Sequence, residues 1–184
     1  MLLQNRLINE VLLLSVARAA VIDPAGILYS SEFRRLCEQN KCGHYGTNWM
    51  CPPAVGPYEA LKAKASQYEE GLVFQTVHQL AYSRDRKGLR QAFKAHDEAL
   101  QRIIAHLQDK HGIKDILPLG AGPCTYCEKC ASLVGESCRF PDHAVASLES
   151  HGIDVGALVK MCDMPYKGEK DEVVFVGAVF FSAP

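Results

Sequence analysis

The chain has 184 residues, 48% of them apolar, with 20 Lys and Arg against 21 Asp and Glu and a formal net charge of -1. That is enough chain and apolar surface for one core, so residues 1–184 are expected to form a single domain with cysteine-rich metal-binding segments at 37–51 and 122–141. The balanced charge excludes the basic field on which non-specific nucleic-acid binding depends, and no run of about 20 apolar residues is present to span a membrane.

The opening run MLLQNRLINEVLLLSVARAAVI has the apolar patch of a secretion signal, but Glu10 stands just before that patch and Arg18 lies within it. Leu2, Leu3, Ile8, Val11, Leu12 and Val16 fit one face of an amphipathic helix instead. The expected location is therefore the cytoplasm. There the eight cysteines would stay reduced, and clustered thiols more often bind metal or act in catalysis than form bridges.

Asp23-Pro24-Ala25-Gly26 marks a turn. The segment that follows carries Cys37, Cys42 and Cys51, with Gly43 and Gly46 between them and Pro52-Pro53 after them. Glycines let a backbone approach a bulky inorganic group, and the prolines stiffen the exit. Three thiolates leave a site incomplete. The fourth position falls to Cys162, to His44, to a cysteine of the other segment or to an exogenous ligand; an open iron could bind and activate a substrate. Trp49 is expected to pack over this region.

A helix is expected to start at Pro57, with Leu61, Ala65 and Tyr68 on one side and Gly71 as its stop. Residues 72–82 read as a strand bearing His78 and Tyr82. The longest helix is expected over 85–111, with Leu89, Ala92, Phe93, Leu100, Ile103, Ile104 and Leu107 as its apolar stripe and Gly112 ending it. His96 lies near that stripe and reads as a core or boundary histidine. Arg84, Arg86, Lys87 and Arg90 crowd the start of this helix against a single Asp85. Cations there oppose the helix dipole, and an acidic redox partner is one use for such a patch.

A strand over 114–119 then delivers the chain into GPCTYCEKCASLVGESCRFP. Cys124, Cys127 and Cys130 form a Cys-x2-Cys-x2-Cys array, Cys138 follows, and Arg139 and Phe140 separate it from Pro141. A mononuclear zinc site usually takes its ligands as two separated pairs. In an iron–sulfur cubane each cysteine binds a different iron, so closely spaced thiolates on a wrapping loop can each reach a corner. The array is that of ferredoxins, without the proline directly after the fourth cysteine. One or two [4Fe–4S] clusters are the cofactor expected, with zinc as the alternative, and Arg139 stands where it could offset thiolate charge.

Asp142 is expected to cap a helix through HAVASLESHG that Gly152 ends, and GIDVGALVKMC a turn and a helix with Cys162 near its close. VVFVGAVFF reads as a buried final strand bounded by charge and Pro184. The class expected is α+β: a small, mainly antiparallel sheet covered by helices, with a ferredoxin-like sandwich as the first topology.

Cys37-x4-Cys42-Gly43-His44-Tyr45-Gly46, leading into Cys51-Pro52-Pro53, is followed in the same order by GPCTYCEKC, CRFP and GIDV. Together, over Phe33 to Val155, these motifs resemble the cysteine-rich family called domain of unknown function 2284, whose members are described as predicted metal-binding proteins. The resemblance implies metal binding by Cys37, Cys42, Cys51, Cys124, Cys127, Cys130 and Cys138. It implies no reaction, and it leaves Cys162 outside its motifs. Ala146 stands where a proline is expected before Ser147.

The function expected is electron transfer by an iron–sulfur protein, or a redox accessory role beside a partner protein. A structural or sensing zinc-thiolate module and an enzyme using an open iron at Cys37, Cys42 and Cys51 are the alternatives. No Gly-x-Gly-x-x-Gly, phosphate loop, haem-attachment or nucleophile-elbow signature accompanies the cysteines.

Overall fold

The computed structural model describes residues 2–182, with side chains from residue 4 onward. Glu70–Gln79 (β2) and Glu172–Phe181 (β5) are its longest strands, paired antiparallel from Glu70 opposite Phe181 to Gln79 opposite Glu172. Successive side chains on a strand point to opposite faces. Leu72, Phe74, Val179 and Phe181 face one side, and Val73, Val176, Ala178 and Phe180 the other. Both faces are apolar, which is why the final strand reads as an unbroken hydrophobic run.

Arg18–Ile22 (β1) lies along the outer edge of β2. On the other side, Ile116–Gly120 (β3) pairs antiparallel with β5, and the short Ala146–Ser147 (β4) pairs parallel with β3. The five-stranded order is β1-β2-β5-β3-β4. Leu2–Leu12 (α1) and Arg86–His111 (α4) cover one face, through Leu7, Val11, Leu100, Ile103 and Leu107. Tyr58–Ala65 (α3) and Val155–Met161 (α5) cover the other, through Ala65, Val155, Leu158 and Val159. The class is α+β, as the sequence leads one to expect. β2, α4 and β3 form a split β-α-β unit with β5 between its parallel strands, the unit from which ferredoxin-like folds are built. Its flanks differ from that fold, since β1 precedes the unit and β4 extends the sheet past β3.

The long helix has the ends its sequence signals. The Asp85 carboxylate accepts from the N–H of Gly88 at 2.8 Å, and Gly112 closes the helix in the left-handed region at φ 68°. Its buried stripe starts one turn later than expected, because Leu89 is 44% exposed while Ala92, His96 and Ala99 are buried.

Several local expectations are corrected. α1 stops at Leu12, the chain turns through Ser15 at φ 67°, and residues 18–22 become an edge strand rather than more helix. Within α1, Leu7 and Val11 are the buried pair, one turn apart, whereas Leu12 faces out; the side chains of Leu2 and Leu3, like Pro184, lie outside the described residues. Pro57 is the N-cap of α3 rather than its first residue. Gly71 does not stop that helix: it lies inside β2, where a Cβ would meet the Phe180 ring at 2.8 Å. β2 ends at Gln79 and leaves Tyr82 outside and exposed. The helix expected after Asp142 is replaced by β4 and a single 3₁₀ turn at Glu149–His151, with Gly152 closing it as expected. Pairing with β3 outcompetes the helical pattern, since Leu148 N–H also donates to the Gly120 carbonyl at 3.1 Å.

Candidate metal centre

The cysteine loop at 121–145 leaves β3 and returns into β4 directly beside it, with Leu119 opposite Ala146 and Gly120 opposite Ser147. It is thus held between two paired strands rather than between a strand and a helix. A long irregular connection in a compact domain is usually functional, and this one is pinned at its base. Cys124, Cys127, Cys130 and Cys138 line one small pocket, partly open to solvent, whose other walls include Asn48, Trp49 and Phe140. Tyr126 stands at its rim, stacked on His143 with centroids 4.9 Å apart and planes within 3°.

The sulfurs are met by donors. Burial pushes the Cys124 thiol up, while the N–H groups of Tyr126 and Val145 oppose that rise. At Cys130 a desolvation cost is outweighed by the Ser132 hydroxyl and N–H, the Trp49 N–H and the charge of Arg139, and the thiol lies below its ordinary value. Arg139 is held over the loop by donating to the Lys129 carbonyl at 3.2 Å.

The second cysteine segment begins on Ser31–Glu38 (α2), whose last turn carries Cys37 and whose first turn is capped by the Ser30 hydroxyl. Cys42 and Cys51 follow on the loop to α3. Gly43 and Gly46 sit at φ 77° and 70°, but an added Cβ would meet nothing within 4 Å at either. What glycine supplies there is the left-handed backbone and not the close approach that the sequence suggests. Burial raises the Cys37 thiol, the nearby Arg34 opposes this, and Cys42 and Cys51 add to it. Cys51 is likewise raised by burial, with Cys42 and Cys130 adding. The three thiols are therefore electrostatic neighbours, and Cys51 also adjoins the four-thiol pocket.

Three contacts join the segments: Trp49 Nε1 donates to the Glu136 carbonyl at 3.0 Å, the Ser132 hydroxyl to the Thr47 carbonyl at 3.4 Å, and Trp49 N–H to the Cys130 sulfur. The sequence places Trp49 over its own cysteine segment; in the fold it lines the pocket of Cys124, Cys127, Cys130 and Cys138. Arg34 and Asn48 are the participants that sequence reasoning missed. Arg34 is buried and donates to the Gly56 carbonyl at 2.6 Å and the Ser150 carbonyl at 3.2 Å, which places a fixed cation behind Cys37. No pattern marks it among the exposed charges of α2. Asn48, also buried, accepts from Met50 N–H at 3.0 Å and reaches Cys51; a turn-forming residue between two cysteines was its available signal.

His44 uses its carbonyl to receive the Thr47 N–H and hydroxyl. Cys162 caps the end of α5 against the core, and burial alone pushes its thiol up to about 11. All eight cysteines are free thiols. Among the described residues, the only His, Cys, Asp or Glu trio with ligand atoms all within 4.8 Å of one another is Glu10, His106 and His111. The thiols of both groups are more widely spread than that. Tetrahedral zinc, with Zn–S of about 2.3 Å, needs its sulfurs roughly 3.8 Å apart, whereas a polynuclear cluster takes each thiolate on a separate metal atom.

Among the described residues no helix is long and apolar enough to cross a membrane. No curated protein and no solved structure matches the chain. The model of domain of unknown function 2284, described as a predicted metal-binding protein, matches residues 20–181. That match is wider than the span of the cysteine motifs and runs from within β1 to the end of β5. The chain belongs to the domain of unknown function 2284 family of predicted metal-binding proteins.

Proposed function

We propose that this is an iron–sulfur protein of the cytoplasm, holding one or two [4Fe–4S] clusters and serving electron transfer, as a carrier or as the redox accessory of a partner protein. Cys124, Cys127, Cys130 and Cys138 would hold one cluster and Cys37, Cys42 and Cys51 a second. The observation that carries this reading is four thiols around one pocket, no three with sulfurs mutually within 4.8 Å. When bound, the cluster supplies one-electron exchange at a potential set by its charge, its exposure and the hydrogen bonds to sulfur. The chain's part is to tune that charge. N–H groups of Tyr126, Val145, Ser132 and Trp49 donate to sulfur, and Arg139 and Arg34 stand beside Cys130 and Cys37. All of these favour the more negative, reduced state, and Trp49 and Phe140 give the pocket apolar walls. The adjacency of Cys51 and Cys130 favours electron passage between the two groups. Arg84, Arg86, Lys87 and Arg90 are all exposed and suit an acidic redox partner.

A second reading concerns the three-thiol group alone. Cys42 is exposed, and an exchangeable fourth position there would allow a substrate to bind an iron, making the protein an enzyme.

The test is iron, zinc and acid-labile sulfide content on protein purified without oxygen, with visible spectra before and after dithionite. About eight iron and eight sulfide per chain with a bleachable brown chromophore is the result for two cubanes, and about four for one. Zinc without sulfide would overturn the redox reading and leave a structural or sensing thiolate module.

A further inference from the structure

Among the described residues, the closest gathering of metal-binding side chains contains no cysteine. Glu10 on α1 meets His106 and His111 on α4, with its Oε2 2.9 Å from His106 Nε2 and 2.7 Å from His111 Nε2. All three ligand atoms lie within 4.8 Å of one another, and each side chain keeps roughly a fifth of its surface open to solvent. From this geometry we infer a second, cysteine-free metal site at the α1–α4 junction, which takes one divalent ion of the zinc class on Glu10 Oε2, His106 Nε2 and His111 Nε2.

Two imidazoles and one carboxylate are a donor set suited to zinc, with water in the remaining position. Such ligands, at about 2.0–2.2 Å from the ion, lie roughly 3.3–3.6 Å apart. Each carboxylate–imidazole pair therefore needs to open by roughly 0.4–0.9 Å, a shift on the scale of side-chain torsions. Without metal, the carboxylate holds the two rings by hydrogen bonds from Nε2. With metal, each ring carries its proton on Nδ1, and binding releases any proton beyond that. Glu10 Oε1 is engaged by Arg6 at 2.8 Å, which leaves Oε2 as the free donor and favours one-oxygen coordination. His111 is the last residue of α4, where the outward carbonyls make a helix terminus favourable to a cation. The ion would tie the N-terminal helix to the longest helix and would keep one position exchangeable. The trio shares no residue with the cysteine groups, so this inference stands or falls apart from the iron–sulfur reading.

The experiment adds cobalt(II) to the protein as purified, with its cysteine sites in the state in which they were isolated. One equivalent per chain should bind with weak d–d bands and no thiolate-to-cobalt charge transfer. His106→Gln/His111→Gln should lose that equivalent, with at least a hundredfold weaker binding, and zinc should raise the melting temperature of the wild type only. Equal cobalt uptake by the double variant, or thiolate-to-cobalt charge transfer in the difference between wild type and double variant, would overturn the site. Should the double variant fail to fold, X-ray absorption at the edge of zinc added to the wild type decides. An all-nitrogen-and-oxygen shell with imidazole scattering supports the site, and sulfur in the shell removes it.

Discussion

The indole Nε1 of Trp49 donates to the backbone carbonyl of Glu136 at 3.0 Å, across 87 positions of sequence. Through that bond the two cysteine segments brace each other, since the backbone N–H of the same residue points at the Cys130 sulfur. Trp49 is also the only tryptophan in the chain and lines the four-thiol pocket.

Its fluorescence therefore reports on that pocket. An absorbing iron–sulfur cluster should quench it strongly, and stripping the cluster should restore it, whereas zinc would leave it bright. Trp49→Phe keeps an aromatic side chain, though a smaller one, and removes the indole hydrogen bond, a loss of about 1 kcal/mol for that bond. The variant should fold, load metal, and release it to a chelator several-fold faster than wild type. Unchanged release would show that the brace does not hold the site.

The main supports of the site were legible in the sequence because they rest on local signals. Asp85 and Gly112 bound α4, the run at 173–181 is apolar on both faces, and the spacing of Cys124, Cys127 and Cys130 announces a wrapping loop. What was not legible depends on pairing across long separations. Residues 146–147 carry no strand pattern of their own and become β4 only because β3 offers an edge. Arg34 looks like any helix-surface charge until Gly56 and Ser150 turn their carbonyls to it. His106 and His111 are five apart, a spacing that signals nothing on a helix, and they converge only because Glu10 of α1 stands between them.

His96 makes a pH prediction. It is fully buried, stacked on Phe74 at 5.1 Å, paired through Nδ1 with the Thr76 hydroxyl at 2.9 Å, and has no partner at Nε2. Burial lowers its pKa to about 3. Above its unfolded value of about 6.5 the ring is neutral in both states, and its contribution to stability is complete. As pH falls from about 6.5 toward 3, the unfolded chain takes up a proton that the folded chain refuses, and stability drops by up to about 1.4 kcal/mol per pH unit. His151, lowered to about 4 by burial, acts in the same direction. Asp97 acts oppositely: burial raises it to about 6, so the folded state is relieved as its carboxylate takes a proton. Urea midpoints followed from pH 7.5 to 5 should fall less steeply in His96→Phe than in wild type. Parallel curves would mean that His96 is protonated without cost, against its burial.

Gly152 and Gly43 separate two reasons for glycine. Both have positive φ, 74° and 77°, so alanine at either incurs the left-handed penalty of roughly 1–2 kcal/mol. At Gly43 nothing lies within 4 Å of the added Cβ. At Gly152 that carbon would strike the Tyr58 ring, with Cδ2 at 2.8 Å, and the Ser30 carbonyl at 3.0 Å. The Gly152 carbonyl also receives the Ser30 N–H at 2.7 Å, and Ser30 caps the helix that carries Arg34 and Cys37. Gly152→Ala should therefore destabilise by about 2 kcal/mol more than Gly43→Ala in urea unfolding. It should also loosen metal held by the Cys37 group, because the Ser30 cap that it strains starts α2, while the Cys124 loop hangs from β3 and β4. Equal costs for the two alanines would reduce the role of Gly152 to its backbone angle, with no part for the close approach of Tyr58 and Ser30.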